Sequence, residues 1–114
     1  MLNCVQIQGR FTTTPELKFT GDRTPVVSFT LAVDRNYINK ETGFRETDFI
    51  RCNAWRSQAE FICQNFQKGD YITISGHMQT KFWNDSQGVS RQDIEVLIEN
   101  AYYCGLTKKK TEAT

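Results

Sequence analysis

The chain has 114 residues, about one domain by size, and its 39% hydrophobic and 24% charged residues exclude collagen-like and disordered classes. Fourteen Lys and Arg against thirteen Asp and Glu give a net charge of +1, and Lys108, Lys109, Lys110 and Glu112 supply +2 of it, leaving −1 on residues 1–107. A nearly neutral body argues against a partner gripped chiefly by charge, such as duplex DNA or an acidic membrane.

The first predicted strand covers residues 2–11, where Cys4, Val5 and Ile7 stand among polar residues and Gly9 predicts a bulge or bend. Residues 12–25, with two prolines, Gly21 and Asp22, predict a loop anchored by Leu17 and Phe19. Residues 26–35 alternate and are rich in β-branched side chains, a second strand, and residues 39–45 read as a hairpin tip. In the third strand, residues 47–55, alternation puts Phe49, Arg51, Asn53 and Trp55 on one side. Ile50, Cys52 and Ala54 take the other, which is the expected core.

Ser57 with Glu60 three residues later matches a capping box, and Ala59, Ile62, Cys63 and Phe66 then share one helical face. Lys68-Gly69 is the expected stop, and Phe61 lies opposite the apolar stripe. Residues 71–83 predict a fourth strand, 84–88 a second hairpin tip, and 91–103 a fifth strand with Ile94, Val96 and Ile98 in alternation. Residues 1–106 are expected to form one domain, and 107–114 a short basic tail too polar to fold alone. Three strands, one short helix and two more strands is the order of an all-β OB-fold, a five-stranded Greek-key barrel with the helix between its third and fourth strands.

Apolar runs are only a few residues long and Met1-Leu2-Asn3-Cys4 is a polar start, so neither a transmembrane helix nor a signal peptide is expected. The cytoplasm is the expected compartment. Cys4, Cys52, Cys63 and Cys104 form no close pair, and His77 has no Cys, His, Asp or Glu within six residues, so a metal site is not expected. The thiols are expected to be reduced and mostly buried. Asp93, Glu95 and Glu99 read as the polar side of an alternating strand, and no phosphate-cradling loop or nucleophile elbow occurs. No enzyme activity and no cofactor are expected.

If the third strand packs Ile50, Cys52 and Ala54 inward, then Phe49, Arg51 and Trp55 project together. Leaving a large ring in water forfeits roughly 1.5–3 kcal/mol, so displayed rings suit a surface reserved for a partner. Tyr37 after Arg35, and Trp83 after Lys81, add a ring and a cation at the base of each hairpin. Rings interleaved with cations fit single-stranded nucleic acid, whose bases stack on aromatic faces while Arg and Lys meet phosphates. The same rings fit core positions or a subunit interface equally well, and the cations fit a solvated surface.

The stretches GRFTTTPELKFT, FTLAVDRNYINKETG, ETDFIRCNAWRSQAE, QKGDYITISGHMQT and KFWNDSQG resemble, in order and spacing, bacterial single-stranded-DNA-binding proteins, over about residues 2–103. That resemblance implies stacking aromatics at Tyr37, Phe49, Trp55 and Trp83, the four rings already selected. It implies phosphate contacts at Lys18, Arg51, Lys81 and Arg91, to which local position adds Arg35, Lys40 and Arg56. It also implies a homotetramer wrapped by single-stranded DNA, acting near the nucleoid in replication, recombination, repair or DNA uptake. An unpaired edge of the first strand would be a natural dimer contact. Members resembling this chain continue into a linker and an acidic tip that recruits other proteins, whereas residues 108–114 here are basic, so the resemblance points to a tailless or truncated form without that recruitment. A related alternative is an OB-fold docking adaptor of replication restart with secondary DNA binding.

Overall fold

A computed structural model describes residues 1–105, and the tail expected over 107–114 lies outside them. The described residues form β1 (Val5–Phe11), β2 (Lys18–Phe19), β3 (Pro25–Ile38), β4 (Arg45–Trp55), α1 (Ser57–Asn65), β5 (Tyr71–Asn84) and β6 (Ser90–Tyr102). The strand order β1-β5-β6-β4-β3 closes through pairing of Arg10 and Phe11 with Ala32 and Leu31, and β2 flanks β3. This is the five-stranded OB barrel that the pattern predicts, with its helix between β4 and β5. All its ladders are antiparallel except β4–β6, where Cys52 and Asn53 run parallel to Val96 and Leu97.

Alternation on β3 sends Val27, Phe29 and Leu31 inward, where they meet Cys52 and Ala54 of β4, Ile72 and Ile74 of β5, and Val96 and Ile98 of β6. The helix closes one end: Ala59, Ile62 and Phe66 are buried, and Phe11 packs its ring 4.8 Å from Phe29 and 5.5 Å from Phe66. Phe61, opposite the expected stripe, is half-buried, with Tyr103 beyond β6 standing 5.5 Å from it and 5.3 Å from Phe66. The other end is open. There Ile50 is only part-buried, and Met78 and Ile94 are exposed although they share the alternation of the core residues.

Several sequence expectations change. Lys18 and Phe19 form a short strand paired with Val26 and Pro25, and of the two expected anchors only Leu17 packs on the core while Phe19 is exposed. The capping box does not form. Arg56 is the N-cap, at φ 58°, and no side chain among the described residues caps the helix; its amide still donates to Pro25 O at 2.8 Å, extending the β3–β4 ladder. The chain must therefore turn within that one residue, which leaves Ser57 already inside the helix. Gly9 carries no bulge; it stays in register opposite Ile72. What it permits is close approach, since a Cβ there would lie 2.9 Å from Ala32 O on β3. Register shifts fall elsewhere, between Asp34 and Ile38 on β3 and on β6, where Ser75 pairs with Asn100 but Gly76 with Ile98, leaving Glu99 extra.

Of the four cysteines only Cys52 is buried, with Cys63 and Cys104 half-buried and Cys4 exposed. Burial pushes the Cys52 thiol up to about 12, so it stays protonated and unreactive at neutral pH. Among the described residues no helix is long and apolar enough to cross a membrane, and no cluster of three metal-ligating side chains occurs.

Candidate nucleic-acid interface

The regular part of β4 places Phe49, Arg51 and Trp55 on the outer side of the barrel, opposite Ala32, Thr30 and Val26 of β3. Phe49 is 66% and Trp55 40% exposed, so neither ring is core. Asn53, which alternation puts beside them, is buried because β3 and β6 flank it through Ser28 and Leu97, and its Oδ1 has no partner among the described residues.

Beyond the barrel, β5 and β6 continue as a two-stranded arm whose register sets Lys81 opposite Asp93 and Trp83 opposite Arg91. Directly opposed residues point to the same side of a ladder, so ring and cations share one face of the arm. That face meets β4 in a groove of about 570 Å³ lined by Arg51, Lys81, Trp83, Asp93, Ile94 and Glu95. A second depression, of about 340 Å³, shares Arg51 and Ile94 with the first and adds Phe49 over the open end of the barrel. A third, of about 220 Å³, runs from Val26, the neighbour of Trp55, to Lys18. The first two are continuous through Arg51 and Ile94, and the outer face of β4 carries Trp55 from Arg51 toward the third, beside Val26.

The remaining candidates are distributed differently. Tyr37, 62% exposed, and Lys40 lie on the β3–β4 hairpin beyond the barrel. Arg35 is held by carboxylates: its Nε and Nη2 donate to Asp48 at 3.1 and 3.0 Å, and its Nη1 donates to Glu46 at 2.7 Å and to the Tyr37 hydroxyl at 3.5 Å. Asp48 alternates with Phe49, so this cluster leaves the strand on the side away from the Phe49–Trp55 face. Arg91 donates to Asp85 at 3.1 Å. Arg56 is exposed next to Trp55, at the start of the helix. Arg51 and Lys81 have no carboxylate partner among the described residues, so they are the cations most available on the groove.

Alternation marks Asp93 and Glu95 only as polar strand positions, yet both line the groove, and Trp83 Nε1 donates to Asp93 Oδ2 at 2.8 Å. The register comes from the ladder itself: Asn84 stands opposite Ser90, which puts residue 93 diagonal to residue 83. Ile94 was missed as a surface residue because alternation grouped it with Val96 and Ile98, and the barrel ends before reaching it.

Hydrogen bonding from Arg35, and then its charge, holds the Asp48 carboxyl below its ordinary value of 3.8. A depressed carboxylate stabilises the fold above its unfolded value, and that contribution disappears as pH falls through the lower folded value. The urea midpoint of the wild type should therefore drop more steeply below about pH 3.8 than that of Asp48→Asn, which has no charge there to lose. Parallel pH profiles would show that the pair adds nothing to stability.

Residues 2–103 match the family described as "Single-strand binding protein family". The chain is 41% identical over 103 residues to "Single-stranded DNA-binding protein" of Caldanaerobacter subterraneus subsp. tengcongensis, covering 90% of this chain and 68% of the relative. It is 39% identical over 103 residues to the protein of the same name from Halalkalibacterium halodurans, covering 90% and 61%. With "Single-stranded DNA-binding protein A" of Bacillus subtilis it shares 40% identity over 103 residues, covering 90% and 59%. The chain thus spans about three-fifths to two-thirds of the length of these relatives.

Proposed function

Because the chain belongs to the single-strand binding protein family, we propose that it binds single-stranded DNA without reading sequence, as a binding protein and not an enzyme. The observation that carries this reading is the outer path on which Phe49, Arg51, Trp55, Lys81 and Trp83 lie together. Unpaired bases stack on the rings, each stack worth about 1–3 kcal/mol and indifferent to base identity, while Arg51 and Lys81 meet phosphates. Lys18 extends the cationic path past Trp55. Tyr37 with Lys40 on the first hairpin, and Arg91 and Arg56 at the edges, give a longer strand further contacts, and Arg35 joins them only by exchanging a carboxylate for a phosphate.

The protein acts as a homotetramer in the cytoplasm, near the nucleoid, protecting single strands in replication, recombination, repair or uptake. Supporting self-association, β1 pairs with β3 only at Arg10 and Phe11, so among the described residues one edge of Val5–Gly9 is unpaired. Unpaired edges invite a second strand. No cofactor is needed for stacking, and no step of the binding calls for one.

The test is the anisotropy of a labelled oligo-dT against a duplex of equal length, since pairing hides the base faces that the rings need. Tight single-strand binding with poor duplex competition is expected; equal affinity for both would favour a binder driven by charge. Charge is the smaller contributor here. Lys81→Ala should reduce the slope of log affinity against log salt by about 0.7, the release expected for one phosphate contact on a single strand. An unchanged slope would remove Lys81 from the phosphate path.

A further inference from the structure

Two carboxylates, Asp93 and Glu95, line the same groove as Arg51, Lys81 and Trp83. On a surface offered to a polyanion each one repels the ligand, so a carboxylate there needs another reason. The geometry points to one for Asp93. Trp83 stands on a two-stranded arm, 44% exposed, beyond the barrel that would otherwise pack its ring. Its only polar atom, Nε1, donates to Asp93 Oδ2 at 2.8 Å, across the diagonal from β5 to β6.

We propose that Asp93 is a positioning residue that fixes the Trp83 indole in the orientation in which it lines the groove, resting on the single-stranded-DNA reading above. An unheld indole must be ordered when a base stacks on it, and ordering a mobile side chain at an interface opposes binding. The bond to Asp93 orders it in advance. Asp93 does not touch DNA in this account. Its charge is a cost, and its acceptor oxygen is what matters.

Charge and acceptor have opposite signs, which makes the proposal testable. Removing the carboxylate alone should strengthen attraction for phosphate, whereas losing the acceptor should weaken stacking. Asp93→Ala is expected to weaken oligo-dT binding about three- to tenfold, the size of one hydrogen bond's net contribution. Asp93→Asn keeps an acceptor, drops the charge, and should bind at least as tightly as wild type. In a Trp83→Phe background, which has no indole N–H, Asp93→Ala should cost nothing further.

A spectroscopic readout separates positioning from general damage. The chain has two tryptophans, so Trp55→Phe leaves Trp83 as the single emitter. There Asp93→Ala should lower the emission anisotropy of Trp83, and Asp93→Asn should preserve it. Asp93→Ala binding as tightly as wild type, or losing as much in the Trp83→Phe background as outside it, would overturn the proposal. If the wild type fails to bind oligo-dT, the single-stranded-DNA reading falls instead, and unchanged anisotropy in Asp93→Ala would by itself show that the bond does not hold the ring.

Discussion

Phe49→Ala and Trp55→Ala are each expected to weaken oligo-dT binding by about 1–3 kcal/mol, a loss of about five- to 150-fold apiece. These are among the largest losses that single substitutions on this surface should produce, because the two rings flank Arg51 on one strand of a rigid barrel. Phe49 is 66% exposed, so its truncation removes little that the fold uses. Trp55 is more covered, and its variant should be checked by urea unfolding before its affinity is read. Equilibrium titration of each variant measures the effect. A loss below twofold for both, with the fold intact, would mean that bases do not stack on this face.

Gly76→Ala should damage the fold itself. A Cβ at residue 76 would lie 1.9 Å from the carbonyl oxygen of Leu97, a backbone atom that no side-chain rotation can move aside. Overpacking costs typically about 1–3 kcal/mol, and this case belongs at or above the upper end because the neighbour is main chain. The position also matters for closure. Leu97 is one of two β6 residues that pair with β4, and the ladder shift around Glu99 begins at Gly76. Pushing β6 away there would loosen the strand that carries Asp93 and Glu95, so the unfolding midpoint should fall and DNA binding with it. A urea midpoint equal to the wild type would show that β6 can shift without penalty.

How much of this was legible beforehand follows from which forces act locally. Strict alternation in β4 predicted both the buried set Cys52 and Ala54 and the outer set Phe49, Arg51 and Trp55, because burial of one sheet face writes a period of two into the chain. Both hairpin tips were legible from their turn residues. The alternation failed at Asn53 and Ile94 for opposite reasons. Asn53 is an outward position that neighbouring strands cover, and Ile94 is an inward position on an arm that has left the barrel. Neither fact is local to its own strand.

The helix start shows the same limit. Ser57 and Glu60 have the right spacing for a capping box, but the chain stays tied to β3 through Arg56, so the helix begins one residue too early for Ser57 to cap it. The resemblance of five sequence stretches named the four rings, yet it could not say how they divide. Phe49, Trp55 and Trp83 lie along the barrel path, while Tyr37 stands on the first hairpin, next to an arginine already held by carboxylates.

The net charge of −1 on residues 1–107 takes on a different meaning once the ion pairs are located. Arg10, Arg35 and Arg91 are each held by an aspartate, and Arg51 and Lys81 are left facing the groove. On the single-stranded-DNA reading, stacking then carries more of the affinity than charge does, and attraction for duplex DNA, which hides its base faces, should be correspondingly small. Sorting of charge, more than its sum, decides what this face can hold.

The central claim is that bases lie on these rings, and the rings report on it themselves. Titrating the wild type with oligo-dT at low salt while following intrinsic fluorescence should quench Trp55 and Trp83 together and saturate, and an excess of duplex should not reproduce the quench. A folded protein whose fluorescence does not change as oligo-dT is added would contradict the account.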